Sequence, residues 1–383
     1  MASPRAAHRL PVGSTIGILG GGQLGRMLSL AAARLGFKTH IYSDDPDSPA
    51  FEVTSRATHG GYHDLPHLET FAHQVDVVTY EFENVPVEAA RHIARLVPVR
   101  PGARALEVAQ DRLVEKQFLT GLGIAVAPFA EVSHRRDLMT ALQRFAAPSI
   151  LKTRRLGYDG KGQVSLAPDA DAAAAVAMLG HRAAILEQRL DFVFETSVLV
   201  VRGLDGALSF YDCPVNSHAG GILRRSAVPS ALPPQSVAAA QHIAGRIAVA
   251  LDYVGVLAVE LFYMGPAHMG PAHMEPGSPI SGSTTPLVVN ELAPRVHNSG
   301  HWTLDACGCS QFENHIRAVA GWPLGSTRRH SNAEMLNLIG DEVEDWGRLA
   351  AQPDVCLHLY GKREARAGRK MGHVTKLGGG SKS

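Results

Sequence analysis

Two carboxylates and an amide stand at places in this sequence where apolar packing would be cheaper. The stretch 287–303 reads LVVNELAPRVHNSGHWT. Leu287 to Val289 predict a short buried strand, which runs into Asn290 and Glu291. Arg295, His297, Asn298 and His301 follow, too many donors and acceptors for a plain loop. Upstream, VLAVELFY sets Glu260 inside an otherwise apolar strand, where an unpaired charge is costly. Two strands that each deliver a carboxylate, with an asparagine oxygen beside them, suit Mg²⁺. That ion takes hard oxygen ligands and keeps substrate phosphates in its shell. A buried Glu–Arg pair, with Arg295 as the cation, is the plainer alternative.

A second group of residues suits phosphate. SILK (149–152) is a short apolar strand closing on Lys152, and GYDGKGQ follows at 157–163. Gly157, Gly160 and Gly162 with Lys161 make a flexible cationic loop between two strands, able to close over phosphates. A DGKG hairpin turn needs only the glycines; Tyr158 and Asp159 at its tip exceed that need. Glu187 ends the apolar strand ILEQ, and a strand edge there can present backbone groups to an adenine. Glu195 reads equally as an outward-facing strand residue, and His218, before a glycine pair, as structural. Arg112 and Lys116 read as a solvated helix face, although Arg112 can turn towards phosphate. Lys362, Arg363, Arg366, Arg369 and Lys370 crowd the C-terminal stretch. They form either a solvated tail or a site for a phosphate ester.

These residues need elements to carry them. Residues 14–44 predict a strand (16–19), a glycine turn, a helix (24–35) and a strand (38–42), a βαβ unit. Gly20, Gly22 and Gly25 satisfy GxGxxG, with Asp44 or Asp45 about 20 residues on. The helix N-terminus can hold an anion; whether that anion belongs to NAD is open. A strand at 76–80 delivers Glu81 and Glu83 to the crevice where such sheets bind ligands. A strand at 97–101 and a helix at about 103–122 follow. A second pattern begins near Ala127 and contains an alanine-rich surface helix. Residues 264–286, with the repeat MGPAHMGPAHM, read as an expanded hairpin loop without chemistry. A helix is expected at 311–320, and the closing GGGSKS as unstructured.

Composition sets the class. The chain has 383 residues, 45% hydrophobic and 19% charged, enough for two or three globular domains. A net charge of +1 gives no argument for nucleic acid or an acidic membrane. The first dozen residues lack a signal-peptide core, and no run of about 18 apolar residues could span a bilayer, so a cytoplasmic protein is expected. Four cysteines are too few for a disulfide framework. Cys307 and Cys309 form a CxC without a second thiol pair nearby, which reads as reduced, partly buried thiols.

Taken together the segments resemble the ATP-grasp superfamily, and within it the 5-(carboxyamino)imidazole ribonucleotide synthase family. The resemblance runs from about Thr15 to Lys376 in the family's order: GGGQLGRM, TYEFENVP, DRLVEKQFL, GYDGKGQ, ILEQ, AVELF, NELAPRVHNSGHWT and GRKMGHV. It implies an α/β protein of three domains: a Rossmann-like one over 13–110, a small lid over 111–183, and a larger α+β domain over 184–376, then a disordered tail at 377–383. By this resemblance ATP meets Arg112, Lys152, the loop from Gly157 through Tyr158, Asp159, Gly160, Lys161 and Gly162 to Gln163, the adenine edge at Glu187, Gln188, Arg189 and Leu190, then Glu195, His218, Asn290 and Glu291. Glu260 and Glu291 would hold Mg²⁺, or Mn²⁺ in its place. The partners it implies are bicarbonate and 5-aminoimidazole ribonucleotide, the latter across Gln23, Leu24, Glu81, Tyr158 and Asp159 with its phosphate on Lys362, Arg369 and Lys370. Arg295 and His297 would face bicarbonate and the reacting phosphate, with Tyr158 and Asp159 completing the catalytic group. A homodimer is expected on the same ground.

Three departures from the family pattern stand out: the long 264–286 loop, an extra Arg363 in the basic tail, and a chain that stops soon after GHVTKL. Three rival readings differ in what they leave over. An NAD-linked oxidoreductase leaves the Glu260/Glu291 pair and GYDGKGQ unexplained. Another ATP-grasp ligase fits NELAPRVHNSGHWT poorly. An inactive nucleotide-binding relative would not need the acidic and basic residues kept here.

Overall fold

The computed structural model describes residues 9–157, 162–180, 182–265 and 285–378. Tyr158, Asp159, Gly160 and Lys161, most of the 264–286 loop and the last five residues lie outside them. The N-terminal unit comprises β1 (Thr15–Leu19), α1 (Gln23–Arg34), β2 (Lys38–Ser43), β3 (Arg56–His59), α2 (Leu65–Ala72), β4 (Val77–Tyr80) and α3 (Val87–Ile93). Its four strands are parallel in the order β3-β2-β1-β4, half of a doubly wound sheet. Leu24, Met27, Leu28, Ala31 and Ala32 fall on one stripe of α1 and are all buried.

The 97–101 strand reduces to a single parallel bridge between Val78 and Val99. The helix expected over 103–122 is two helices, α4 (Ala103–Ala109) and α5 (Arg112–Gly121). The break is chemical: the Asp111 side chain accepts from the Leu113 N–H and caps α5, a role that needs a non-helical backbone at Asp111.

The lid is a four-stranded antiparallel sheet, β5-β8-β6-β7, made by β5 (Phe129–Val132), α6 (Arg135–Phe145), β6 (Ser149–Thr153), β7 (Gln163–Leu166), α7 (Ala172–Met178) and β8 (Ala184–Gln188). Because β8 pairs with both β5 and β6, the lid sheet runs to Gln188, past the expected boundary at 183.

The third unit is a nine-stranded antiparallel sheet. It contains β9 (Phe194–Arg202), β10 (Leu208–Phe210), β11 (Val215–Ala219), β12 (Ile222–Val228), α8 (Pro234–Ala250), β13 (Gly255–Tyr263), β14 (Leu287–Ala293), α9 (Thr303–Ala306), α10 (Gln311–Val319), β15 (Ala333–Ile339), α11 (Trp346–Ala350), β16 (Val355–Leu359) and β17 (Lys370–Leu377). The strand order is β14-β13-β9-β11-β12-β15-β17-β16, with β10 paired to β9. Strand β14 does not stop at Val289 but carries Asn290 and Glu291 within its ladder.

The first and third units share one core, in which Ile16, Leu24 and Leu28 pack with Leu199, Val201, Phe312 and Ile316. A polar stitch crosses it. The Val256 N–H donates to His315 Nδ1 at 3.1 Å, so the ring proton sits on Nε2 and is given to Thr79 Oγ1 at 2.8 Å. Burial alone pushes His315 down to about 3. A folded-state value below the ordinary 6.5 gives stability that is complete above pH 6.5 and is lost as pH falls towards 3. We expect His315→Ala to cost about 3 kcal/mol in urea unfolding at pH 8, from the cavity and two orphaned polar partners. The gap to the parent protein should narrow on acidification.

Candidate active site

The site begins with an irregularity in the β13–β14 ladder. Val259 pairs with Leu292 and Leu261 with Val289, so Glu260 alone faces two residues, Asn290 and Glu291. This is a β-bulge: the extra residue breaks the strict alternation of side chains and re-aims them. Glu260, Asn290 and Glu291 therefore all line the same cavity of about 560 Å³.

Each charge there has a distinct partner. His297 Nε2 lies 3.1 Å from Glu260 Oε1. Burial works to raise the Glu260 carboxyl, but the His297 hydrogen bond prevails and holds it low. Glu291 is pushed up by burial and by the neighbouring Glu260, and its nearest cation is Arg112, 3.8 Å away. Arg295 does not pair with Glu260, as a simple buried Glu–Arg pair would require. Its guanidinium grips Glu83, and burial, which raises that carboxyl, is overcome so that Glu83 sits at about 2. Glu195 and His218 form another close pair in the cavity wall. Glu115 is buried beneath Leu292, whose N–H donates to it at 2.7 Å, and burial holds its carboxyl up at about 8.

Lys116 was expected on a solvated face and is instead only 1% exposed. Its Nζ donates to the Asn290 carbonyl at 2.6 Å and lies 3.4 Å from Glu187. Lys152 approaches the same Glu187 carboxylate at 3.1 Å. Burial raises Glu187, but the two ammonium groups outweigh it and set the carboxyl at about 2. Glu187 thus lies on a central lid strand, holding two lysines, and is not an open edge. The Gln188 and Arg189 N–H groups are taken by the Pro128 and Pro148 carbonyls.

The glycine turn carries its own anion. The Gly22 and Gly25 N–H groups both donate to the Glu81 carboxylate, the second at 2.6 Å. A Cβ at Gly20, whose φ is +108°, would stand 2.3 Å from Glu81 Cγ. The dinucleotide reading of GxGxxG fails here, because its phosphate position is filled by a side chain of the same protein.

Of the residues expected in a site, Gln23, Leu24, Glu81, Arg112, Lys152, Gly157, Gln163, Glu195, His218, Glu260, Asn290, Glu291, Arg295, His297 and Lys370 line one cavity. Gly162, Glu187, Gln188, Arg189, Leu190, Lys362 and Arg369 are not among its lining residues. Lys362 donates to the Lys370 carbonyl at 2.7 Å and Arg369 to the Glu364 carbonyl at 3.1 Å, so both brace the basic stretch. Arg363 pairs with Asp47 on the N-terminal unit. Sequence reasoning missed Lys116, the Glu83 clamp and a stacked pair in the wall, Phe192 and Phe262, with centroids 4.6 Å apart. The EFENVP spacing placed Glu83 at the crevice but gave no sign of its pairing with Arg295, and nothing local marked Lys116 as buried.

The donors fit a hard divalent cation: two carboxylates and an amide oxygen on one face, the carboxylates repelling each other, with Arg112 the nearest cation to Glu291. We expect Lys116→Met to lower stability by about 3 kcal/mol in chemical denaturation, since it strips a partner from a buried carboxylate. Glu83 is held below the ordinary 4.5, so its stability is present above pH 4.5 and lost as pH falls to about 2. Glu83→Gln should therefore flatten the acid limb of a stability–pH curve; an unchanged limb would show that the Arg295 pair contributes nothing.

Comparison with known proteins supports one family throughout. Residues 13–110 match the ribonucleotide synthetase preATP-grasp domain, 117–312 the ATP-grasp domain, and 333–382 the phosphoribosylaminoimidazole carboxylase C-terminal domain. The N5-carboxyaminoimidazole ribonucleotide synthase of Brucella melitensis is 48% identical over 370 residues, covering 96% of this chain and 97% of the relative. A crystal structure of an ADP complex of an N5-carboxyaminoimidazole ribonucleotide synthetase superposes with TM-score 0.88 at 37% identity, covering 96% of this chain and 93% of the other. The Aspergillus clavatus enzyme in complex with ADP and 5-aminoimidazole ribonucleotide gives 0.85 at 28% identity, covering 96% and 94%.

Proposed function

The chain belongs to the N5-carboxyaminoimidazole ribonucleotide synthases of the ATP-grasp superfamily, and on that premise we propose how its own residues divide the reaction. The activity is an ATP-dependent carbon–nitrogen ligation in purine biosynthesis: carboxylation of the exocyclic amine of 5-aminoimidazole ribonucleotide. The observation that supports the residue roles is the bulge, which turns Glu260, Asn290 and Glu291 into a cavity also lined by Arg112, Lys152, Arg295 and His297.

ATP lies between the lid and the β13–β14 strands. Lys152, Gly157 and Gln163 meet its phosphates, Arg112 stands at its γ end, and Gln188, Arg189 and Leu190 border the base, with Glu195 and His218 at the ribose. Glu187 serves beneath them, holding Lys152 in reach. Glu260 and Glu291 would hold Mg²⁺, or Mn²⁺ in its place, and the ion would neutralise phosphate charge. Bicarbonate is the carboxyl source, placed by Arg295 and His297. Its oxygen forms a bond to the γ-phosphorus as the bond to the bridging oxygen of ADP breaks, giving carboxyphosphate. The ribonucleotide amine then bonds to the carboxyl carbon, directly or after release as CO₂; phosphate departs and the amine loses a proton. Positioning and charge neutralisation, rather than covalent catalysis, is what phosphoryl transfer asks of a protein.

The ribonucleotide approaches from the N-terminal unit, over Gln23, Leu24 and Glu81, with Lys370 and its braces Lys362 and Arg369 on the phosphate side. Tyr158 and Asp159, which lie outside the described residues, are assigned to the ribonucleotide by the family resemblance alone. Among the described residues no helix is long and apolar enough to cross a membrane. A homodimer in the cytoplasm is the proposed working form, testable by sedimentation.

ADP release from ATP, Mg²⁺ and bicarbonate should depend on 5-aminoimidazole ribonucleotide and leave acid-labile carbon in the product. Glu291→Ala should abolish turnover, by more than about a thousandfold, while the thermal unfolding curve persists. Normal turnover in that variant would remove Glu291 from the cation site.

A further inference from the structure

A line of buried polar side chains crosses the central sheet and ends on His297. Ser226 Oγ donates to Asn216 Oδ1 at 2.7 Å, and Asn216 Nδ2 donates to Ser197 Oγ at 3.1 Å. Ser197 Oγ lies 2.7 Å from Ser299 Oγ, which lies 2.8 Å from His297 Nδ1. The three serines are wholly buried and Asn216 nearly so. Strands β12, β11 and β9 each contribute one member, so the line is assembled by the fold and not by a local turn. Polar groups this deep persist only when bonded to one another.

The line has a direction, and two separate contacts set it. Asn216 donates to Ser197 Oγ, and the arrangement in which every hydroxyl of the line both accepts and donates passes the Ser197 proton to Ser299 and the Ser299 proton to Nδ1. Independently, the Ser299 backbone N–H points at Nδ1 from 3.4 Å, and a backbone N–H can only donate. Both leave Nδ1 as an acceptor, with the ring proton on Nε2, facing Glu260 at 3.1 Å. We propose that Ser197, Asn216 and Ser299 are positioning residues that orient the His297 ring, with Nδ1 turned to Ser299 as an acceptor and the Nε2 proton aimed at Glu260. The inference rests on the reading that Glu260 and His297 serve the reaction. It adds how that pair is kept in register: an outer hydrogen bond fixes the tautomer of the histidine, which in turn fixes the carboxylate.

Asn216→Asp tests it with almost no change of shape. A carboxylate accepts on both sides, so Ser197 turns its proton to Asp, Ser299 turns to Ser197, and Nδ1 must then supply a proton. The measurement is the nitrogen spectrum of histidine-labelled full-length protein, with His297 assigned from His297→Gln, alongside steady-state ADP release. The parent protein should show Nε2 protonated and Nδ1 bare. Asn216→Asp should show Nδ1 protonated, with kcat down by about tenfold or more and KM for ATP changed by less than about threefold. Ser299→Ala, which breaks the line without adding charge, should lower kcat likewise and decides the matter if Asn216→Asp does not fold. A protonated Nδ1 in the parent protein overturns the proposal, as does kcat within about twofold in a variant whose nitrogen signals have switched. Absence of ribonucleotide-dependent ADP release in the parent would instead sink the functional reading, and the nitrogen spectrum would still judge the line of hydrogen bonds by itself.

Discussion

Bringing two carboxylates and an amide oxygen to one face of adjacent antiparallel strands is the constraint on which this structure turns. A regular ladder cannot do it, because neighbouring residues point to opposite faces. The extra residue opposite Glu260 solves the geometry and creates an electrostatic problem, since Glu291 must now sit beside another buried carboxylate. Much of the surrounding chain answers that problem. His297 takes Glu260, Arg112 leans towards Glu291, and Glu83 keeps Arg295 close to both without letting it neutralise either. The arrangement leaves the pair short of positive charge, which suits a cation that arrives with its substrate.

The lid is joined to this centre by charge as well as by chain. Glu187 has Lys152 from its own sheet and Lys116 from α5, and Lys116 also reaches the carbonyl of Asn290, a member of the bulge. A single buried ammonium therefore ties the nucleotide side of the cavity to its carboxylate side. If Lys152 turns from Glu187 towards a phosphate, Lys116 remains to keep that carboxylate ionised. This is a physical reason for two lysines where one would balance the charge.

Much of the fold was legible because its signals are local. The βαβ unit, the glycine loop between two strands and the acidic ends of β13 and β14 all follow from periodicity and turn chemistry. The motif NELAPRVHNSGHWT carried the family reading before any contact was known. What was illegible depends on tertiary placement. Asp111 split a helix through a cap that competes with helix continuation. Lys116 lies at a helix position that looks solvated until β8 and β14 close over it. The bulge is a property of the register between two strands separated by a long loop, and neither strand announces it alone. Glu83 was seen as facing a crevice, but its partner lies more than two hundred residues away.

Glu81 in the glycine turn has a consequence for how this protein meets anions in solution. A carboxylate delivered by the same folded chain acts at an effective concentration that a free ion cannot approach. Phosphate, sulfate or a dinucleotide at cellular levels must displace a competitor that never diffuses away. The turn keeps the form of a receptor while being permanently self-saturated. Resins and dyes that retain dinucleotide-binding proteins through that turn should let this one pass, however closely the glycine spacing matches.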